Sequence, residues 1–131
     1  MRIRAISVPV SDQEAALQFY TKKLGFIKKL DTPLDGGHRW LTLVSNEEPD
    51  GVEIVLEPAP LHFEPSKVFQ KALFEAGIPW TQFDVDDVDE EYARLTSLGV
   101  DFSIKPATMG TVKYAVLDDT CGNYIQIVEY L

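Results

Sequence analysis

Residues 3 to 10 alternate, with Ile6, Val8 and Val10 on one side and Ala5, Ser7 and Pro9 on the other, which predicts a strand with one apolar face. Ser11 or Asp12 then offers an N-cap oxygen, and Glu14 suits the positive end of a helix. Ala16, Leu17, Phe19, Tyr20 and Leu24 recur at helical spacing, Lys22 and Lys23 suit the C-terminus, and Gly25 ends the element. Strands are predicted next at 26–30, 38–44 and 52–57, separated by the polar loop 31–37 and the turn-rich run 45–51.

The same order of elements returns after a connector. Pro58, Pro60 and Pro65 restrict the start of that connector, and 66–76 reads as a short amphipathic helix or turn. Residues 80–85 alternate again, Asp86, Asp87 or Asp89 can cap a helix running to about Leu98, and Gly99 stops it. Further strands are predicted at 101–105, 111–117 and 123–130. Val85-Asp86-Asp87 repeats Val10-Ser11-Asp12 at an offset of about 75, and Leu98-Gly99-Val100 repeats Leu24-Gly25-Phe26 at about 74. The pattern is therefore α+β, a strand-helix-strand-strand-strand module written twice. The expected division of a single 1–131 domain is 1–58, a connector at 59–78, and 79–131.

Composition narrows the partners. Lys and Arg total 12 against 21 Asp and Glu, and the net charge of -9 disfavours nucleic acid and anionic membranes while favouring neutral or cationic molecules. The opening Met1-Arg2-Ile3-Arg4 runs directly into the first strand, and no apolar run approaches the ~18 residues of a membrane span, so a cytoplasmic protein is expected. The single cysteine, Cys121, excludes an internal disulfide and any Cys-x-x-Cys motif. No Gly-x-Ser-x-Gly elbow or phosphate-cradling glycine loop is present, which removes support for acyl transfer and nucleotide chemistry.

Pro9-Val10-Ser11-Asp12, Phe19-Tyr20, Leu24-Gly25-Phe26, a late Gly99 and the closing run Asp118-Asp119-Thr120-Cys121-Gly122-Asn123-Tyr124-Ile125-Gln126 together resemble the glyoxalase, bleomycin-resistance and extradiol-dioxygenase superfamily. The resemblance covers essentially the whole chain. It implies two modules with curved mixed sheets around a ligand cup, and a homodimer. In metal-dependent members, His and Glu from the first and last strands of each module hold a divalent ion with an open position for substrate. The resemblance places those positions on Ala5, Trp80 and Gln126, with Glu53 as the fourth, or Glu57 if the register slips by four. A methyl, an indole and a neutral amide are poor ligands, so neither a metal nor another cofactor is expected. His38 and His62 sit near loops, away from those positions, where a surface role is expected.

Strand alternation puts Ala5, Ser7, Trp40 and Thr42 on the face opposite the helices in the first module, and Trp80, Gln82, Tyr124 and Gln126 on the matching face of the second. This mixture of aromatic walls and a few polar groups suits a small-molecule pocket. Ser7, Trp40, Thr42, Trp80, Gln82, Tyr124 and Gln126 are the expected ligand contacts, and the tryptophans can stack on a planar or cationic ring or simply fill the cup. Two functions remain open. One is metal-free binding of a small neutral or cationic aromatic molecule. The other is an enzyme of the lyase, isomerase or dioxygenase type, with an altered or absent metal site, in which Glu53 or Glu57 is the general base.

Overall fold

The carboxylate of Asp12 accepts the Ala15 amide at 2.7 Å, and this cap starts helix α1 (Gln13–Lys22) directly after strand β1 (Ala5–Pro9). The computed structural model describes residues 1–131, which divide into two compact units, Met1–Val68 and Phe69–Leu131. In the first unit the chain continues through β2 (Ile27–Pro33), a single 3-10 turn at Asp35–Gly37, β3 (Arg39–Val44), β4 (Glu53–Glu57) and the short α2 (Ala59–His62). The sheet order is β1-β4-β3-β2, with β1 parallel to β4 and the other pairs antiparallel. Helix α1 packs against β4 and β2. Val8, Val10, Ala16, Tyr20, Leu41, Leu43 and Leu56 are fully buried, each large side chain contributing about 2 kcal/mol of transfer free energy. Ile6, predicted for the same layer, is exposed and lies on the edge strand β1.

Helix α3 (Glu64–Glu75) runs across the boundary between the units. It begins two residues earlier than the sequence suggests, since Pro65 falls in its first turn, where a missing amide costs nothing. The second unit contains β5 (Thr81–Asp84), α4 (Val88–Ser97), β6 (Phe102–Met109), β7 (Val112–Asp118) and β8 (Tyr124–Tyr130), in the order β5-β8-β7-β6 with β5 parallel to β8. Asp87 caps α4 by accepting the Glu90 amide at 2.9 Å, and Glu129 accepts the Val88 amide at 3.0 Å. Helix α4 packs on β6, β7 and β8 over a core that includes Leu95, Leu117 and Ile125.

Two edge strands outrun their expected lengths. Strand β2 continues to Pro33 and β6 passes through Pro106 to Met109, with register shifts between Phe102 and Ile104 and between Ile104 and Ala107. Proline is tolerated on edge strands and at bulges, where no ladder amide is required of it.

The turn between β7 and β8 is organised by a buried carboxylate. Asp119 accepts the amides of Cys121 (2.7 Å) and Asn123 (3.0 Å) and the side-chain amide of Asn123 (2.8 Å). Gln70 of α3 donates to the Cys121 carbonyl and to Asn123 Oδ1, at 3.3 and 3.1 Å. Gly122 has φ of +101, and a Cβ there would stand 2.9 Å from the Gln70 amide, so only glycine fits. The Cys121 side chain is buried at this turn. Asp119→Ala strands two backbone amides and a side-chain amide away from water; urea denaturation is expected to show a loss of about 3 kcal/mol.

Candidate functional site

In each unit the parallel strand pair fixes which residues are equivalent. Val10 donates to the Glu57 carbonyl at 2.8 Å, and Val85, at the matching place in the repeat, donates to the Val128 carbonyl at 2.9 Å. Counting back, Ala5 pairs with Glu53, whereas Trp80 donates its backbone amide to Tyr124 at 2.8 Å. Glu53 is therefore the counterpart of Tyr124, and the counterpart of Gln126 is Val55, which lies opposite Ser7 as Gln126 lies opposite Gln82. This corrects the sequence alignment of the halves by two residues, a shift that preserves strand alternation and so leaves no trace in the pattern. The four positions become Ala5, Val55, Trp80 and Gln126, which offer one neutral amide between them. No group of three or more His, Cys, Asp or Glu side chains is placed to hold a metal ion.

On the face of the first sheet turned away from α1, Ser7 donates its hydroxyl to Glu57 at 3.3 Å. Extending the β3–β4 register sets Trp40 opposite Glu57, and the Trp40 indole is 43% exposed. Glu53, on the same face, is only 5% exposed and pairs with Arg4 at 3.4 Å. Thr42 is fully buried, and its hydroxyl accepts the Leu30 amide at 3.2 Å beside the register shift in β2. Its hydrogen-bonding capacity thus mends the ladder, a use that alternation alone does not reveal.

The corresponding face of the second sheet carries a line of polar side chains. Gln126 donates to Gln82 at 3.2 Å, and Gln82 donates to the Tyr130 hydroxyl at 3.5 Å. Beside them, Trp80 meets Phe69 edge-on at 5.7 Å between ring centroids, and Tyr124 stacks on Phe74 at 4.3 Å with ring planes 8° apart. Trp80, Gln82, Tyr124 and Gln126 therefore gather on one surface. Both Phe69 and Phe74 come from α3, read from the sequence as a short helix or turn at 66–76 with no expected contact to this face.

Sequence reasoning missed a second polar assembly in the first unit. The buried amide of Gln13 donates to the carbonyls of Arg39 (2.7 Å) and Leu56 (2.9 Å) and accepts the Arg39 amide (3.0 Å), clipping the ends of β3 and β4 to the helix. Arg39 holds both oxygens of Asp31, at 2.9 and 2.8 Å, and Glu14 at 2.7 Å. That guanidinium lowers the Asp31 carboxyl to about 2 and lowers Glu14 as well, while hydrogen bonds to Asp31 and then Glu14 raise Arg39 above its ordinary value. A recess of about 250 Å³ opens here, lined by Ser11, Asp12, Gln13, His38, Arg39 and Leu61 among others. His38 and His62 meet edge to face, 4.5 Å between centroids. A lone Gln or Arg in an amphipathic pattern carries no signal of such long-range pairing.

The sequence profile of the Glyoxalase/Bleomycin resistance protein/Dioxygenase superfamily matches residues 2–127, and the chain belongs to that superfamily. It is similar to YurT of Bacillus subtilis (strain 168), described as an uncharacterized protein, with 51% identity over 98% of this chain and 99% of YurT. Among solved structures it is similar to UcmS2, at 32% identity and a TM-score of 0.83, covering 98% of both chains. It is also similar to TnmS3, described as an antibiotic binding protein from Streptomyces sp. CB03234, at 27% identity and a TM-score of 0.75, covering 100% of this chain and 97% of that one. The α+β fold with two mixed four-stranded sheets is the fold of these neighbours.

Because Asp31 ionises below its ordinary range, its contribution to stability is complete above about pH 4 and disappears as pH falls toward about 2. Arg39→Met removes the cause of the shift. Urea denaturation at stepped pH is expected to show a shallower fall of stability across that window in the variant than in the parent protein.

Proposed function

We propose that this protein binds a small aromatic molecule, neutral or cationic, on the sheet faces turned away from α1 and α4, without a metal ion. The observation carrying this reading is the donor-poor set Ala5, Val55, Trp80 and Gln126 at the positions where metal-dependent relatives hold an ion. Recognition then rests on shape, ring stacking and hydrogen bonds. Trp40 in the first unit, and Trp80 with Tyr124 in the second, supply rings, while Ser7, Gln82 and Gln126 supply polar contacts. Thr42 acts from beneath the surface by fixing β2. The similarity to TnmS3, an antibiotic binding protein, supports the same reading for this chain.

The resemblance to the superfamily supports a homodimer. A cytoplasmic location agrees with one buried cysteine and with the absence of any helix long and apolar enough to cross a membrane. An enzyme using Glu57 as general base is the second reading, favoured by the Ser7 hydroxyl that orients a half-exposed carboxylate. Glu53 is the other candidate base, though its charge is already matched by Arg4.

Titration of tryptophan fluorescence with a panel of planar aromatic compounds is expected to give saturable binding without product. Trp40→Ala and Trp80→Ala should each weaken it by about 0.5 to 2 kcal/mol. Product formation that vanishes in Glu57→Gln, with folding retained, would instead select the enzyme. Calorimetry with zinc, nickel, manganese and iron(II) is expected to find no tight stoichiometric site, and such a site on either sheet face ends the metal-free reading.

A further inference from the structure

The chain has two histidines, and the fold of the first unit brings them together. His38 stands between the 3-10 turn Asp35–Gly37 and β3, and His62 ends α2, yet their ring centroids are 4.5 Å apart and the ring planes cross at 72°. Neither imidazole has a hydrogen bond or an ion pair within the protein, so the nitrogens of both remain uncommitted. His62 is exposed and His38 half-buried, which leaves both rings open to solvent.

An ion bonded to an imidazole nitrogen lies in the plane of that ring. Planes that cross share a line on which one ion satisfies both rings, whereas the parallel planes of a stacked pair share none. With metal–nitrogen bonds of about 2.0–2.1 Å, rings at adjacent corners of an octahedral or square-planar ion stand about 4.5 Å apart between centroids, and rings on a tetrahedral ion about 5.2 Å. The observed 4.5 Å matches the first arrangement. His62, exposed at a helix end, needs only to turn about its side-chain bonds to aim a nitrogen at the shared line.

His38 also lines the recess of about 250 Å³, whose other charged walls are Asp12, Glu14 and Arg39. Asp31 and Glu14 hold the Arg39 guanidinium, so its charge is matched, and Asp12 spends one oxygen on the α1 cap. The recess thus offers room for coordinated water and no unmatched positive charge against an incoming cation. No third His, Cys, Asp or Glu side chain joins the pair, so water completes the shell.

We propose that His38 and His62 form a reversible site for a late divalent transition metal ion, nickel or copper(II), held by the two imidazoles and water. Imidazole nitrogen suits both ions, and both accept ligands at right angles. Two neutral ligands hold an ion far less tightly than the three or four of a dedicated centre. Neither histidine lies on a strand, so the site is separate from the sheet faces and independent of the aromatic-binding reading. An ion seated there joins the segment before β3 to the end of α2.

The test uses the full untagged chain and the soluble complex of nickel with nitrilotriacetate, a chelator that leaves two adjacent positions of the octahedral ion open to imidazole. Calorimetric titration at pH 8 is expected to show one complex bound per chain. His38→Phe and His62→Phe each keep an aromatic ring in the contact while removing its nitrogens, and each should weaken binding by about tenfold or more. His62 is exposed at the end of a short helix, so its variant keeps the test decisive even where the His38 variant folds poorly. No binding by the parent protein, which is what a pair that merely packs together would give, overturns the site. So does a smaller loss in a folded variant. A metal seated on a sheet face instead would survive both substitutions, so this site and the metal-free reading of the faces fail separately.

Discussion

The parallel pairing of first and fourth strands within each module is the constraint on which the rest depends. β1 lies along β4 and β5 along β8, while every other neighbour in both sheets is antiparallel. A parallel partner cannot be reached by a hairpin, so the chain leaves the first strand through a helix and returns by a three-stranded meander. The helix then has one place to bury its apolar stripe, against the face of its own sheet, and Val8, Val10, Leu41, Leu43, Leu56, Leu117 and Ile125 are fully buried on that side. The other face receives no helix from that return path. That face mixes buried groups such as Thr42, Val55 and Val116 with polar and aromatic side chains that keep some exposure, such as Trp40.

Asp12 and Asp87 make this arrangement local. Each accepts the amide three residues ahead, so the turn from strand into helix is set by a single side chain in each module. These caps, together with the alternation in β1 and β5, are why the repeat was legible from the sequence. What escaped was whatever depends on register. A two-residue slip left Glu53 aligned with Gln126 when the ladder aligns Val55 with it, because alternate residues share a face and the pattern cannot distinguish them. Helix α3 was legible as a short helix or turn at 66–76 within the connector, but not its start at Glu64, where Pro65 falls in the first turn, nor the reach of its Phe69, Gln70 and Phe74 to Trp80, the β7–β8 turn and Tyr124. Contacts made across fifty residues have no period to betray them.

The hydrogen bonds of the two sheet faces turned away from α1 and α4 differ in kind. On the second sheet the amides of Gln82 and Gln126 bond to one another and to Tyr130, and Tyr124 already has Phe74 stacked against it. This surface thus presents rings and amides already held in place by one another.

On the first sheet the acids dominate, and they are matched unequally. Glu57 has a hydroxyl and an exposed indole beside it, whereas Glu53 is buried with one long contact to a hydrated arginine. Electrostatic preference for a ligand comes from charge that is desolvated but incompletely paired, because fully paired groups have nothing left to offer and fully hydrated ones gain little. Neither acid on this face meets that description, since no side-chain oxygen is both cut off from water and without a partner. The overall charge of -9 acts instead at longer range, raising the local concentration of cations and repelling anions before contact. Such steering depends on the charge of the whole chain rather than on any one side chain, and it falls off within about 10 Å at ordinary ionic strength.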